Sequence, residues 1–106
     1  MFIIPRAQLI DLCRRFKVRQ LHLFGSVTTE AFDPATSDVD VLVTLLPAPP
    51  VEQGEALLQL WEELENLFQR KVDLLTLSSL SNPYLKQEEK QTKQLVYDAA
   101  RPQVSV

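Results

Sequence analysis

The chain has few of the residues that staple or bend small proteins. It has one cysteine, Cys13, so no internal disulfide can form, which fits a reducing compartment such as the cytoplasm. Only two glycines are present, Gly25 and Gly54. With so few, a glycine that closes an apolar run, as Gly25 does, reads as a turn or as a point of close backbone approach. No apolar run nears the ~18 residues that suggest a membrane span, and Met1–Pro5 is too short for a secretory leader. Positive charge is also scarce: eleven Lys and Arg face fourteen Asp and Glu, a net charge of −3. That balance argues against direct nucleic-acid binding, because neutralising a phosphate backbone needs a cationic surface.

What remains is an ordinary globular composition. The hydrophobic fraction is 45% and the charged fraction 24% over 106 residues, which predicts one domain spanning residues 1–106 with a single core. Leu9, Cys13 and Phe16 recur at helical spacing after Pro5 and predict a helix over residues 5–17. Residues 19–24 read as a first strand, 26–31 as a short helix, and 33–37 as a turn. Residues 39–46 are nearly all apolar and predict a central strand covered on both faces, stopped by Pro47, Pro49 and Pro50. Leu57, Leu60, Trp61, Leu64, Leu67 and Phe68 form a helical stripe within 51–70. Residues 72–77 read as a third strand. Asn82 and Pro83 read as the cap and first position of a last helix over 83–99, polar from Lys86 to Lys93. The first two strands are joined by a short connection, so they are expected to be antiparallel. The fold class is therefore α/β, a small mixed sheet flanked by helices.

Chemistry concentrates in three places. The run Leu23-Phe24 ends in Gly25-Ser26, an uncrowded backbone followed by a hydroxyl at a strand-to-helix turn, which suits a phosphate. Asp38 and Asp40 open the second strand two residues apart, so they share one face. Carboxylates held that close repel, and a divalent cation removes the conflict; Mg²⁺ takes one or two carboxylates together with substrate phosphates. Asp73 is a lone carboxylate in the third strand, between Val72 and Leu74. Beside the second strand it would face Asp38 and Asp40. Three carboxylates at one sheet edge suit two metal ions roughly 3.5–4 Å apart, as in-line phosphoryl transfer requires.

Taken together, Leu23-Phe24-Gly25-Ser26, Ser37-Asp38-Val39-Asp40 and Val72-Asp73-Leu74 resemble the nucleotidyltransferase domain of the DNA polymerase β superfamily, and most of all its minimal nucleotidyltransferases. The stretch Asn82-Pro83-Tyr84-Leu85 and the run Leu95-Val96-Tyr97-Asp98 are similar to the ending of those small proteins. The resemblance covers residues 5–99. It implies a polymerase-β-like fold, phosphate contacts from Gly25 and Ser26, and metal ligation and catalysis by Asp38, Asp40 and Asp73. It further implies Mg²⁺ as cofactor, ATP as AMP donor, and a HEPN-domain toxin as partner. In that role the chain is an antitoxin that adenylylates a toxin tyrosine. One stretch departs from the pattern. Where the family often has Arg-x-Arg-Gly after Gly-Ser, this chain has Val27-Thr28-Thr29-Glu30, and the loop to Asp38 is one residue longer. The loss of a cation bears on triphosphate affinity and leaves the carboxylates intact.

Three functions stay open on these residues. The first is transfer of AMP to a partner protein. The second is an antitoxin that neutralises by contact alone, favoured by the missing arginine. The third is transfer to a small molecule or RNA, disfavoured by the acidic charge and by the absence of room for an acceptor-holding domain. Plainer roles fit the remaining marked residues. Cys13 and Trp61 read as core, His22 as structural or surface, Tyr84 and Tyr97 as packing of the last helix, and Lys86 to Lys93 as a solvated helix face.

Overall fold

The computed structural model describes residues 4–28, 33, 38–77 and 83–100. Helix α1 (Arg6–Arg15) leads into strand β1 (Val18–Phe24) and one turn of 3₁₀ helix (Gly25–Thr28). Strand β2 (Val39–Leu45), helix α2 (Pro50–Phe68) and strand β3 (Val72–Leu75) follow, then helix α3 (Pro83–Thr92) and strand β4 (Gln94–Asp98). Residues 29–31 of the expected short helix, 34–37 of the expected turn, and the Asn82 cap lie outside the described residues.

The four strands form one mixed sheet in the order β3-β2-β1-β4. Strand β1 runs antiparallel to both β2 and β4, while β2 and β3 are parallel and joined through α2. A parallel pair needs such a crossover, because no tight turn can return the chain to the same end of the sheet.

The helices form because each carries one apolar stripe, and the sheet gives those stripes a place to bury. Leu9, Leu12 and Cys13 of α1 and Leu60, Leu64 and Phe68 of α2 are buried. They pack on the same cluster as Leu21 and Leu23 of β1, Val39, Val41 and Val43 of β2, and Val72 and Leu74 of β3. Burying one such aliphatic side chain contributes about 1.5–3 kcal/mol. The other sheet face holds a smaller cluster, Phe24 and Leu42 with Leu75 packed against them. Beyond the end of α1, Lys17 with a φ of 56° turns the chain into β1; its carbonyl accepts the Leu46 N–H at 2.9 Å. Arg14 and Arg15 in the last turn of α1 suit the negative end of its dipole.

The last predicted helix is corrected. Residues 83–99 do not form one helix: α3 stops at Thr92, and Gln94–Asp98 is a strand. The polar segment Lys86–Lys93 carries no apolar face strong enough to extend a helix through Leu95-Val96-Tyr97. That run is apolar and β-favouring, and it satisfies the open edge of β1. Tyr97 is consequently a buried strand residue rather than part of a helix. Its hydroxyl is held neutral to higher pH, chiefly by burial and further by the neighbouring Cys13, with the hydrogen-bonded Arg14 guanidinium opposing.

Cys13 is wholly buried, and burial pushes its thiol from 9.0 up to about 12. The unfolded chain releases that proton first, so the folded state binds more protons between the two values. The stability this contributes is complete below pH 9 and is lost as pH rises toward 12. The urea midpoint is therefore expected to decline above about pH 9, and Cys13→Ala is expected to make that decline shallower, with the buried Tyr97 accounting for part of what remains.

Candidate active site

The site is built where β1 ends and β2 and β3 begin. Phe24 is the last residue of β1 and is the cross-strand partner of Asp40. The next residue, Gly25, has a φ of 75°, a conformation that a side chain resists and glycine adopts freely. The turn folds tightly around it. The Gly25 N–H donates to Thr92 Oγ1 at 2.6 Å, and the Thr28 hydroxyl donates to the Gly25 carbonyl at 3.0 Å. Helix α3 thus reaches the turn through its final residue. Ser26 lies in the same 3₁₀ turn; its side chain is outside what the structure describes.

Strand alternation then sorts the side chains. Val39 and Val41 of β2 and Val72 and Leu74 of β3 face the helix layer and are buried. The residues between them face the opposite side. The parallel register pairs Val39 with Val72 and Asp40 with Asp73. Asp38 immediately precedes β2, two residues before Asp40. All three aspartates are half-buried. The Lys71 ammonium stands 4.0 Å from the Asp38 carboxylate, with the lysine side chain 68% and the aspartate 40% exposed. The Lys71 carbonyl accepts the Val39 N–H at 3.0 Å, which fixes the start of β3 to the start of β2.

The donor set is chemically suited to a hard divalent cation, since carboxylate oxygens are what Mg²⁺ selects. Among the described residues, however, no three acidic, histidine or cysteine side chains stand close enough together to hold one ion. The backbone places Asp40 beside Asp73, and Asp38 adjoins them in sequence while its carboxylate lies toward Lys71. At this exposure the Asp38 side chain can change rotamer at small cost.

Three residues at or beside the site were not evident from sequence: Thr92, Trp61 and Glu65. Thr92 sits in a polar helix, and a lone hydroxyl there carries no signal. Trp61 was read as core; it is 38% exposed, and its indole N–H donates to the Val72 carbonyl at 2.6 Å. Glu65 accepts the Val72 N–H at 3.0 Å. In α2 both residues read as ordinary members of an amphipathic helix.

Residues 6–96 match the family described as the nucleotidyltransferase domain, and the chain belongs to that family. A candidate protein adenylyltransferase of Methanocaldococcus jannaschii is 34% identical over 76 residues, which cover 72% of this chain and 74% of that protein. Among solved structures, a toxin–antitoxin structure with AMP-PNP aligns over 92% of this chain and 77% of its own, with a TM-score of 0.66 at 22% identity. A tri-AMPylated HEPN toxin of Shewanella oneidensis in complex with its MNT antitoxin aligns over 91% of this chain and 71% of its own, with a TM-score of 0.53 at 21% identity. The last two similarities establish the fold.

The Thr92 contact has a measurable weight. Thr92→Val leaves the buried Gly25 N–H without that acceptor and is expected to cost about 1–3 kcal/mol in urea unfolding, whereas Thr92→Ser, which keeps the hydroxyl, is expected to retain most of it.

Proposed function

We propose that this chain is a Mg²⁺-dependent nucleotidyltransferase that moves AMP from ATP to a tyrosine hydroxyl of a partner HEPN-domain toxin, and so acts as the toxin's antitoxin. The observation that carries the reading is the parallel pairing of Asp40 with Asp73, with Asp38 adjoining and the Gly25 turn beside them. The family match supports nucleotidyl transfer. The M. jannaschii relative supports a protein acceptor, and the AMPylated toxin in the S. oneidensis complex supports a HEPN protein in that role. Nucleotide in a fold neighbour supports ATP as donor.

In this reading Asp38 and Asp40 hold the metal that accompanies the triphosphate, and Asp73 adds the third carboxylate. Bound Mg²⁺ would offset triphosphate charge and acidify the incoming hydroxyl. Gly25 and Ser26 meet the phosphates with uncrowded backbone and a hydroxyl. Asp73 orients the tyrosine hydroxyl. Its oxygen forms a bond to the α-phosphorus, the bond from that phosphorus to the β-bridging oxygen breaks, pyrophosphate leaves, and the hydroxyl proton passes by way of Asp73 to solvent. Among the described residues no helix is long and apolar enough to cross a membrane.

A second reading keeps the fold and drops the chemistry: an antitoxin that blocks its toxin by contact. It is favoured by Val27-Thr28-Thr29-Glu30, which supplies no cation where the family often has arginine. Incubation of the toxin with this chain, ATP and Mg²⁺ separates the two, because transfer adds whole AMP units to the toxin's intact mass. Neutralisation without any mass gain, equally by an Asp38/Asp40/Asp73 triple variant, would establish contact alone.

Two substitutions test the roles. Asp38→Asn combined with Asp40→Asn is expected to abolish metal-dependent ATP binding in calorimetry while the chain stays folded, since like-charge repulsion is relieved; undiminished ATP affinity would remove the pair from the site. Asp73→Asn is expected to slow transfer by about 100-fold or more with ATP affinity nearly unchanged, the pattern of a contact made mainly in the transition state. Transfer at the unmodified rate would exclude Asp73 from the mechanism.

A further inference from the structure

Strand β3 is an edge strand of four residues, and an edge that short has little to hold its register by itself. It is nevertheless held from both sides. On the β2 side, the Val39 N–H donates to the Lys71 carbonyl. On the outer side, the Val72 N–H donates to the Glu65 carboxylate at 3.0 Å, and the Val72 carbonyl accepts the Trp61 indole N–H at 2.6 Å. Trp61 and Glu65 lie four residues apart, one turn along α2, so both reach the same residue of β3. Val72 is itself wholly buried beneath the helices. The residue after Val72 is Asp73.

We propose that Trp61 and Glu65 are positioning residues: by clamping both backbone groups of Val72 they fix Asp73 opposite Asp40. The inference rests on the nucleotidyltransferase reading given above, and it assigns to α2 a part in the site that acts through the backbone of β3. A slip of one residue in β3 would turn Asp73 into the helix layer and bring a valine or leucine to the carboxylate face, because strand side chains alternate. The clamp opposes that slip, and the charge-assisted bond from Glu65 is the stronger kind.

The test uses the full chain with ATP, Mg²⁺ and a purified HEPN-domain toxin, together with amide hydrogen exchange of Val72. Trp61→Phe keeps the ring and loses the donor; Glu65→Met loses the acceptor; Glu65→Gln keeps an acceptor oxygen. Trp61→Phe and Glu65→Met are each expected to expose the Val72 amide to exchange about tenfold faster or more, and to slow AMP transfer about tenfold at saturating ATP with ATP affinity within about twofold. Glu65→Gln is expected to restore transfer to within about threefold. In an Asp73→Asn background, Trp61→Phe is expected to cause no further loss, because the two act through one group. Faster exchange with undiminished transfer, unchanged exchange in Trp61→Phe, or full additivity with Asp73→Asn would each overturn the clamp while leaving the site assignment standing. Should Glu65→Met fail to fold, Trp61→Phe alone decides. If Asp73→Asn transfers normally, Asp73 leaves the mechanism and the inference falls while the transferase reading stands; if the unmodified chain moves no AMP, the functional reading falls and the inference falls with it.

Discussion

Everything distinctive in this molecule depends on the parallel pairing of β2 with β3. The antiparallel pair β1–β2 is joined directly through the 3₁₀ turn and loop, whereas β4 pairs antiparallel with β1 only after the rest of the chain has intervened. Bringing Asp73 beside Asp40 instead demands a crossover, and α2 is that crossover. The arrangement sets two acids side by side on adjacent strands with a third close by in sequence, which a sheet built for stability alone would avoid, since like charges directly opposite are destabilising. A ligand of opposite charge would relieve that conflict, which is the ground of the proposed function.

The two faces of the sheet divide the work. One face is dry: the valines and leucines of β2 and β3 lie against α1 and α2 and hold the strands in place. The other face carries the aspartates, with Phe24, Leu42 and Leu75 forming an apolar floor next to them. The odd positions of β2, Val39, Val41 and Val43, thereby lie in the core, while Asp40 and Leu42 lie on the other side.

Much of this was legible in the sequence because it follows from local periodicity. The stripe from Leu57 to Phe68 could only be a helix, and the apolar run after Asp38 read as the strand that carries Asp40. The mixed sheet followed from connection lengths. The strand at Gln94–Asp98 was not legible, because five residues after a polar helix carry too little pattern, and it was the unmet edge of β1 that decided their state. The register between Asp40 and Asp73 is likewise a tertiary fact. No local rule distinguishes it from a slip of one or two residues, and the contacts that bear on it come from Trp61 and Glu65, whose sequence context speaks only of a helix. Thr92 was hidden for the same reason: its partner is the backbone of a residue far away in the chain.

That contact bears on the order in which the molecule becomes competent. Gly25 and Thr92 are 67 residues apart, and β1 receives its second neighbour only from β4. A chain emerging from the ribosome could assemble α1, β1, β2 and α2 early, with β3 soon after, and would then carry its aspartates on a sheet whose first strand still had a bare edge. The glycine turn would lack its threonine until the last helix had arrived. Closing a loop of that length is slow compared with forming a helix. The Gly25 turn and the core are thus completed by the same C-terminal stretch: Thr92 supplies the turn's acceptor, and Val96 and Tyr97 of β4 fill the last places in the interior.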